Sequence, residues 1–95
     1  MTIDSTTVVV RDNEAMFSTM DDEVVILNMK SNNYLGLDQI GARIWELLET
    51  PVLVSELCEQ MAQEYEGSRE QITAGVLRFL AELAREEMIR GSEHV

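Results

Sequence analysis

The sequence predicts an α+β fold of the winged helix-turn-helix type, in which a three-stranded antiparallel sheet is followed by a three-helix bundle. Three short extended stretches come first, and clusters of turn-forming residues separate them. Three segments with apolar residues at helical spacing follow. A chain of 95 residues with 45% hydrophobic content can bury one core, so we expect a single domain over 1–95, with its core at about 15–91.

The strands are predicted from β-branched and apolar runs that end at turn residues. Their sequences are AMFSTM, EVVILNMK and YLGL. In the middle strand every second residue shares a face, which suits a sheet that is covered on one side. One face carries Val25, Leu27 and Met29, and the other carries Val24, Ile26, Asn28 and Lys30. The earlier run VVVRDN is either an extended arm or an edge strand.

Local capping signals place the ends of the helices. Asp38 can accept a backbone N–H at the start of the first helix, and the Thr-Pro dipeptide at 50–51 ends it. Gly67 ends the second helix. Ser68 and Gln71 form a capping box, so the third helix begins there and extends to about Glu87. The apolar residues at helical spacing are Ile40, Ile44, Leu47 and Leu48 in the first helix and Val54, Leu57, Cys58, Met61, Ala62 and Tyr65 in the second.

Charge and composition exclude several classes of protein. Seven Lys and Arg residues against eighteen Asp and Glu residues give a net charge of −11, which opposes binding to nucleic acid. The sequence has no run of about 18 apolar residues and no charged-then-apolar leader of the kind that marks membrane insertion or export. Cys58 is the only cysteine, so it has no partner for an internal disulfide. We therefore expect a cytoplasmic, soluble protein that contacts neither nucleic acid nor membrane.

Few residues have the chemistry that catalysis or metal binding requires. His94, the only histidine, lies in the C-terminal tail, where chains commonly fray. Cys58 lies on an apolar helix stripe, where cysteine is usually a small buried hydrophobe. Asp21, Asp22 and Glu23 are typical of a solvated hairpin turn, although such a cluster could bind a cation weakly. Neither zinc-ligand spacing nor a glycine-rich phosphate loop is found, so we expect no catalytic residue, metal site or cofactor.

Two features exceed what folding alone requires. At about 100° per residue, the apolar positions of the third helix cover roughly 180° of its circumference, which is wider than one packing face. The side with Ile72, Val76 and Phe79 needs a cover of its own, and Gly75 beside it leaves room for a close approach. The strand at 34–37 carries no Lys or Pro to block an exposed edge. Together they predict a groove for an extended peptide, unless the sheet itself covers that side of the helix.

Three stretches of the sequence carry a resemblance to a known family: EVVILNMKSNNYLGLDQIGARIWELL, VSELCEQMAQEYEGS and ITAGVLRFLAELAREEMIRG. The most specific part is a strand, turn and helix with Tyr34, Gly36, Leu37, Gly41, Ala42, Ile44, Trp45, Glu46, Leu47 and Leu48. From about Val24 to Gly91 the chain resembles the pyrroloquinoline quinone biosynthesis protein D-like family. Within that family it is most similar to the stand-alone recognition proteins of lasso peptide biosynthesis.

The resemblance implies a RiPP recognition element, a non-catalytic domain that acts as a peptide chaperone. Such a domain binds the leader segment of a ribosomally synthesised precursor peptide as an added strand and delivers it to modifying enzymes. In the lasso branch these are a cysteine-protease-like leader peptidase and an asparagine-synthetase-like macrocyclase. Transferred to this sequence, the resemblance implies that the leader pairs with Asn33, Tyr34, Leu35, Gly36 and Leu37 and that its pocket is lined by Ile72, Gly75, Val76, Phe79 and Leu80.

Two positions qualify what the resemblance implies. Relatives tend to have a hydroxyl cap before the second helix, whereas this chain has Leu53, so the start of that helix is less well marked. The first helix with Trp45 is assigned to the core and not to peptide contact.

Two other functions are alternatives to leader binding. A winged-helix transcription regulator would use Arg78 and Arg85, which share a face of the third helix, but Glu82 lies four residues after Arg78 and is expected to pair with it. The run YLGLDQ is similar to the Leu-Gly-x-Asp-Ser motif of acyl carrier proteins. Gln39 replaces the serine of that motif, so the phosphopantetheine arm could not be attached.

Overall fold

The structure, a computed structural model, describes residues 2–21 and 23–93. Asp22 of the predicted acidic turn and His94 of the predicted tail lie outside the described residues. The elements in chain order are β1 (Val8–Arg11), β2 (Ala15–Met20), β3 (Glu23–Asn28), β4 (Tyr34–Leu37), α1 (Gln39–Leu47), β5 (Val52–Leu53), α2 (Val54–Glu64), α3 (Arg69–Arg85) and β6 (Ile89–Gly91). The predicted α+β fold and its three helices are confirmed.

The predicted antiparallel meander forms one sheet, with the strand order β2-β3-β4. Val24 pairs with Leu37 and Leu27 pairs with Tyr34, so β4 lies along residues 24–27 of β3. Ile26 and Asn28 are buried beneath the sheet, as expected for a sheet that is covered on one side. The opposite face is open to solvent and carries Met16, Met20 and Tyr34 among its exposed side chains.

A second three-stranded sheet, in the order β5-β1-β6, was not predicted. Its central strand is β1, so the N-terminal run is neither a free arm nor an edge strand. Val9 pairs with Val52 on one side and with Gly91 on the other. Both Val9 and Val10 are buried. This sheet brings β1, near the start of the chain, beside β6, near its end.

The predicted helix starts are confirmed by their hydrogen bonds. The Asp38 carboxylate accepts the backbone N–H of Gly41 at 2.8 Å at the start of α1. The Ser68 hydroxyl accepts the N–H of Gln71 at 3.1 Å at the start of α3. α3 ends at Arg85, slightly before the predicted end at Glu87, which itself has a positive φ of 57°.

The N-terminal segment supplies the hydrogen-bond acceptors that the Leu53 side chain lacks at the start of α2. Leu53 makes no side-chain capping hydrogen bond. The N–H groups of Val54 and Ser55 instead donate to the backbone carbonyls of Thr7 and Ser5, at 2.9 and 3.1 Å. Since the first N–H groups of a helix have no partner within it, these carbonyls replace a hydroxyl cap. The helix therefore begins where the apolar spacing predicts.

Asn28 links the β3–β4 turn to the end of α3. Its side chain is completely buried, and its amide nitrogen donates to the carbonyls of Glu86 and Glu87 at 2.8 and 3.1 Å. Its amide oxygen accepts the N–H groups of Lys30 and Ser31 at 2.8 and 3.2 Å. A buried amide is stable only when its polar atoms are satisfied, and here both atoms are. Asn28 thus fixes the position of β4 relative to α3.

Trp45 lies in the core, as predicted, and is nearly inaccessible to solvent. Its indole ring meets the Phe17 ring edge to face, with 6.1 Å between the ring centroids. The Arg11 guanidinium lies 4.8 Å from the Trp45 ring and 4.7 Å from the Phe17 ring, and Nε of Arg11 donates to the Trp45 carbonyl at 2.9 Å. This cluster joins β1, β2 and α1.

An ion pair connects α1 to α2 at the surface. Nε and Nη2 of Arg43 each donate to one carboxylate oxygen of Glu64 at 2.8 Å. The hydrogen bonds from Arg43, and a further one from Gln60, lower the pKa of Glu64 to about 2. The carboxylate is therefore held in its charged form over nearly the whole accessible pH range.

We expect the Arg43–Glu64 pair to contribute to acid sensitivity. A carboxyl group with a lowered pKa in the folded state adds stability that is present above its ordinary pKa of about 4.5 and is lost as the pH falls towards 2. The free energy of unfolding, measured by urea titration at several pH values, should fall less over this range in Arg43→Gln than in the wild type. Arg78→Gln, which removes an exposed arginine, should retain the wild-type slope. Equal slopes in all three proteins would contradict this assignment.

Candidate functional site

β4 is the edge strand of its sheet, as predicted. The N–H of Asn28 donates to the carbonyl of Asn33 at 2.9 Å, which sets the phase of the hydrogen bonds between β3 and β4. Hydrogen-bonded and non-hydrogen-bonded pairs alternate in an antiparallel ladder. Two residues along from the bonded Asn28–Asn33 pair, the Ile26–Leu35 pair is therefore hydrogen-bonded as well. The N–H and C=O groups of Tyr34 and Gly36 therefore point away from β3. Among the described residues no strand pairs with them, since β1 lies in the other sheet.

Apart from its shortness, this edge carries none of the features that usually block pairing with another chain. β4 contains no Lys or Pro, and its register with β3 has no bulge. The Tyr34 side chain is 76% exposed, and a Cβ placed on Gly36 would meet nothing within 4 Å. The backbone groups of both residues are therefore accessible to an extended segment.

A groove runs along α3, first beside β4 and then beside α1 and α2, and we call it the β4–α3 groove. It consists of three cavities of about 350, 190 and 360 Å³ that follow one another. The first two share Leu35 and Glu82, and the last two share Asp38 and Phe79. The groove is therefore continuous from the start of β4 to the space beyond its end.

The part of the groove that lies between the helices is apolar. We call this part, the cavity of about 360 Å³, the apolar pocket. α1, α2 and α3 form its walls, which include Ile40, Gly41, Ile44, Met61, Tyr65, Ile72, Gly75, Val76 and Phe79. A Cβ at Gly75 would meet nothing within 4 Å, whereas a Cβ at Gly41 would lie 3.3 Å from the Phe79 ring. Gly75 leaves the pocket open, and Gly41 allows Phe79 to pack closely on α1.

The wide apolar arc of α3 thus divides into two halves. Its inner half packs in the core, and the sheet does not cover the other half, which lines the apolar pocket. Ile40, whose helical spacing matches that of buried residues in α1, is 49% exposed because it stands at the rim of this pocket.

The structure brings most of the predicted site residues together. Asn33, Tyr34, Leu35, Gly36 and Leu37 lie along the first two cavities of the groove, and Ile72, Gly75, Val76 and Phe79 line the apolar pocket. Leu37 and Val76 are themselves buried. Leu80 does not line the groove, because it faces the core and is completely buried. Contact of these residues with a peptide remains a prediction.

Several residues that line the groove were not predicted, and they include Ile40, Tyr65, Glu82 and Glu86. The apolar spacing of Ile40 and Tyr65 is equally typical of core residues, so the sequence gives no signal that would separate the two roles.

The acidic residues of α3 differ from the prediction. Glu82 was expected to pair with Arg78, but the ion pairs of residues 2–21 and 23–93 are Arg43–Glu46, Arg43–Glu64 and Arg69–Glu59. Glu82 and Glu86 instead line the groove, and the Asn33 amide donates to Glu86 at 3.0 Å. Two carboxylates on this face of α3 would repel a phosphate backbone, which weighs further against DNA recognition.

The described part of the chain contains no group of three or more His, Cys, Asp or Glu residues that could hold a metal ion. Cys58 is buried, and burial raises the pKa of its thiol, which opposes formation of the reactive thiolate. In the same described residues, no helix is both long and apolar enough to span a bilayer.

Comparison with known proteins places this arrangement in a family. The family model of coenzyme PQQ synthesis protein D (PqqD) matches residues 23–89. The chain belongs to the PqqD family. The match begins at β3 and ends in β6, so it includes both walls of the groove. No curated protein sequence matches the chain significantly.

Two solved structures are similar to this PqqD-family chain. One is TbiB1 in complex with the TbiA(beta) leader peptide, with 32% sequence identity and a TM-score of 0.79 over 90% of this chain and 99% of that chain. The other is lasso peptide synthetase B1 complexed with the leader peptide, with 19% identity and a TM-score of 0.73 over 86% of this chain and 96% of that chain. The second likeness shows the fold alone. The resemblance found in the sequence is confirmed.

Proposed function

We propose that this chain is a cytoplasmic, non-catalytic recognition element that binds the leader segment of a ribosomally synthesised precursor peptide. The leader would add a strand to β4 and insert apolar side chains into the apolar pocket. The observation that carries this proposal is the open edge, where the backbone groups of Tyr34 and Gly36 have no partner strand among the described residues and lie beside a continuous groove. The likeness to TbiB1, which was solved with a leader peptide, supports it.

Micromolar affinity requires both hydrogen bonds at the β4 edge and burial of side chains in the apolar pocket. Tyr34 and Gly36 offer two N–H and two C=O groups, and four hydrogen bonds at roughly 0.5–1.5 kcal/mol each give roughly 2–6 kcal/mol. A dissociation constant of about 1 μM needs about 8 kcal/mol, before the cost of ordering the peptide is added. Burial of an apolar side chain adds about 1.5–3 kcal/mol. Strand addition alone would therefore bind weakly, and one or two side chains in the apolar pocket would supply the remainder.

The proposal extends to delivery of the bound peptide. By its resemblance to the lasso branch, the chain would present the leader to a cysteine-protease-like leader peptidase and an asparagine-synthetase-like macrocyclase. A strand held at the edge of a sheet leaves the rest of the precursor free on either side. This arrangement suits a protein that presents a peptide and does not itself modify it.

Titration with a fluorescently labelled TbiA(beta) leader peptide tests strand addition. We expect saturable binding by the wild type and about tenfold weaker binding by Tyr34→Pro, since proline removes an outward N–H worth about 1–1.5 kcal/mol and blocks the edge. Proline is tolerated at the first residue of a strand, so the domain should remain folded. Tyr34→Ala, which loses the side chain but keeps the N–H, is the matched control and should bind more tightly than Tyr34→Pro. Equal affinities of the two variants would contradict pairing at this edge.

A further inference from the structure

We propose that the β4–α3 groove also selects its peptide by charge, with Glu82 and Glu86 binding a Lys or Arg side chain located about four residues C-terminal to the apolar anchor. This inference rests on the proposed function, because it specifies which extended peptides the groove accepts. Glu82 and Glu86 would be specificity-determining residues.

The side chains that line the groove change from apolar to acidic along one face of α3. Ile72, Val76, Phe79, Glu82 and Glu86 follow one another at intervals of three or four residues, so their side chains share one face of the helix. All five line cavities of the groove. The stripe is apolar as far as Phe79 and acidic beyond it. An extended peptide along β4 would therefore meet an apolar surface at one end and two carboxylates at the other.

No cation of the chain neutralises these carboxylates within the described residues. None of the ion pairs there includes Glu82 or Glu86, and the polar partner of the Glu86 carboxylate is the uncharged Asn33 amide. Both glutamate side chains are half-buried, so their charges face a groove that is partly shielded from water. The chain as a whole has a net charge of −11, which further favours a basic partner over an acidic one.

Helix and strand geometry determine how many residues separate the apolar anchor of the peptide from its basic residue. The midpoint of the acidic pair lies about eight residues along α3 from Val76, which is about 12 Å at 1.5 Å per residue. A strand covers that distance in about four residues at 3.3 Å each. Side chains four residues apart lie on the same face of a strand, so an anchor and a cation at this spacing would both face α3.

The antiparallel pairing of the sheet determines the direction in which the bound peptide runs. Neighbouring strands in β2-β3-β4 are antiparallel, and an added strand that continues this pattern would run opposite to β4. β4 runs from the acidic end of the groove at Tyr34 to the apolar end at Leu37. An antiparallel peptide would therefore place its anchor first and its basic residue afterwards.

A phage-displayed library of random 12-residue peptides tests this inference. The full chain is used for selection, and the retained peptides are sequenced. We expect Lys or Arg to be enriched about four residues after an aromatic or branched apolar residue. In E82Q/E86Q the apolar residue should remain enriched and the basic one should not. Isolated peptides with Lys at this position should bind the wild type about fivefold more tightly than those with Gln, and high salt should abolish the difference.

The controls separate this inference from the proposed function. E56Q/E66Q removes the same charge from exposed positions outside the groove and should select the same peptides as the wild type. Circular dichroism should show that both double variants remain folded. Retained peptides that carry the apolar residue but no basic one would overturn the charge inference and leave leader binding intact. Failure to retain any peptide would overturn both. Self-association of the wild type that is lost in E82Q/E86Q would show that a second copy occupies the groove, which also overturns the inference.

Discussion

Phe79→Asp is expected to weaken leader binding by about 1–3 kcal/mol, or roughly 5- to 150-fold, while the domain remains folded. Phe79 lies where the apolar pocket meets the part of the groove beside β4, so every extended peptide that uses both must pass it. A carboxylate there would be brought against an apolar anchor and close to Glu82, and both effects oppose binding. Fluorescence titration with the labelled TbiA(beta) leader measures the change, and circular dichroism checks the fold.

Ala81→Asp is the matched control for this substitution. It places the same charge on the same helix, at an exposed position that lines no part of the groove. We expect wild-type affinity from Ala81→Asp, and an equal loss in both variants would show that general repulsion, and not the pocket, is responsible. Val76→Asp is a poor test of binding, because Val76 is only 3% exposed and a buried carboxylate there should unfold the domain.

Asn28→Ala is expected to lower the free energy of unfolding by about 2–4 kcal/mol, a large fraction of the stability of a small domain. The substitution removes four hydrogen bonds and leaves the carbonyls of Glu86 and Glu87 without their donor. Because these bonds hold the β3–β4 turn against α3, the two walls of the groove should also lose their fixed separation. Urea unfolding measures the first effect, and leader titration under folding conditions measures the second.

Asn33→Ala provides the comparison. Asn33 belongs to the same turn and donates one hydrogen bond to Glu86, but this bond is exposed, so we expect a loss of about 0.5 kcal/mol or less. Equal destabilisation by Asn28→Ala and Asn33→Ala would contradict the structural role assigned to Asn28.

The parts of the fold with strong local signals were predictable from the sequence. The meander follows from apolar alternation and turn residues, and the starts of α1 and α3 follow from Asp38 and Ser68, whose side chains make the expected capping bonds. The second sheet was not predictable, because β5 and β6 are only two and three residues long. They become strands only when folding brings them beside β1, and short runs carry no periodic pattern.

The candidate site was predictable in part for similar reasons. The unprotected edge at β4 is visible in the sequence as an absence of Lys and Pro, and the width of the apolar arc on α3 shows that one face needs another cover. Helical spacing alone does not locate the boundary between that face and the core, and Leu80 lies on the core side. The acidic end of the groove was missed because Arg78, four residues before Glu82, suggests a pair that the tertiary structure does not form.

Amide hydrogen exchange at single residues, followed by NMR with and without saturating TbiA(beta) leader peptide, tests strand addition most directly. The N–H groups of Tyr34 and Gly36 should exchange rapidly in the free protein and at least about tenfold more slowly in the complex, because each gains a hydrogen bond to the peptide. The N–H of Leu35, which already bonds to β3, should be protected in both states. Unchanged exchange at Tyr34 and Gly36 in a saturated complex would show that the peptide binds elsewhere.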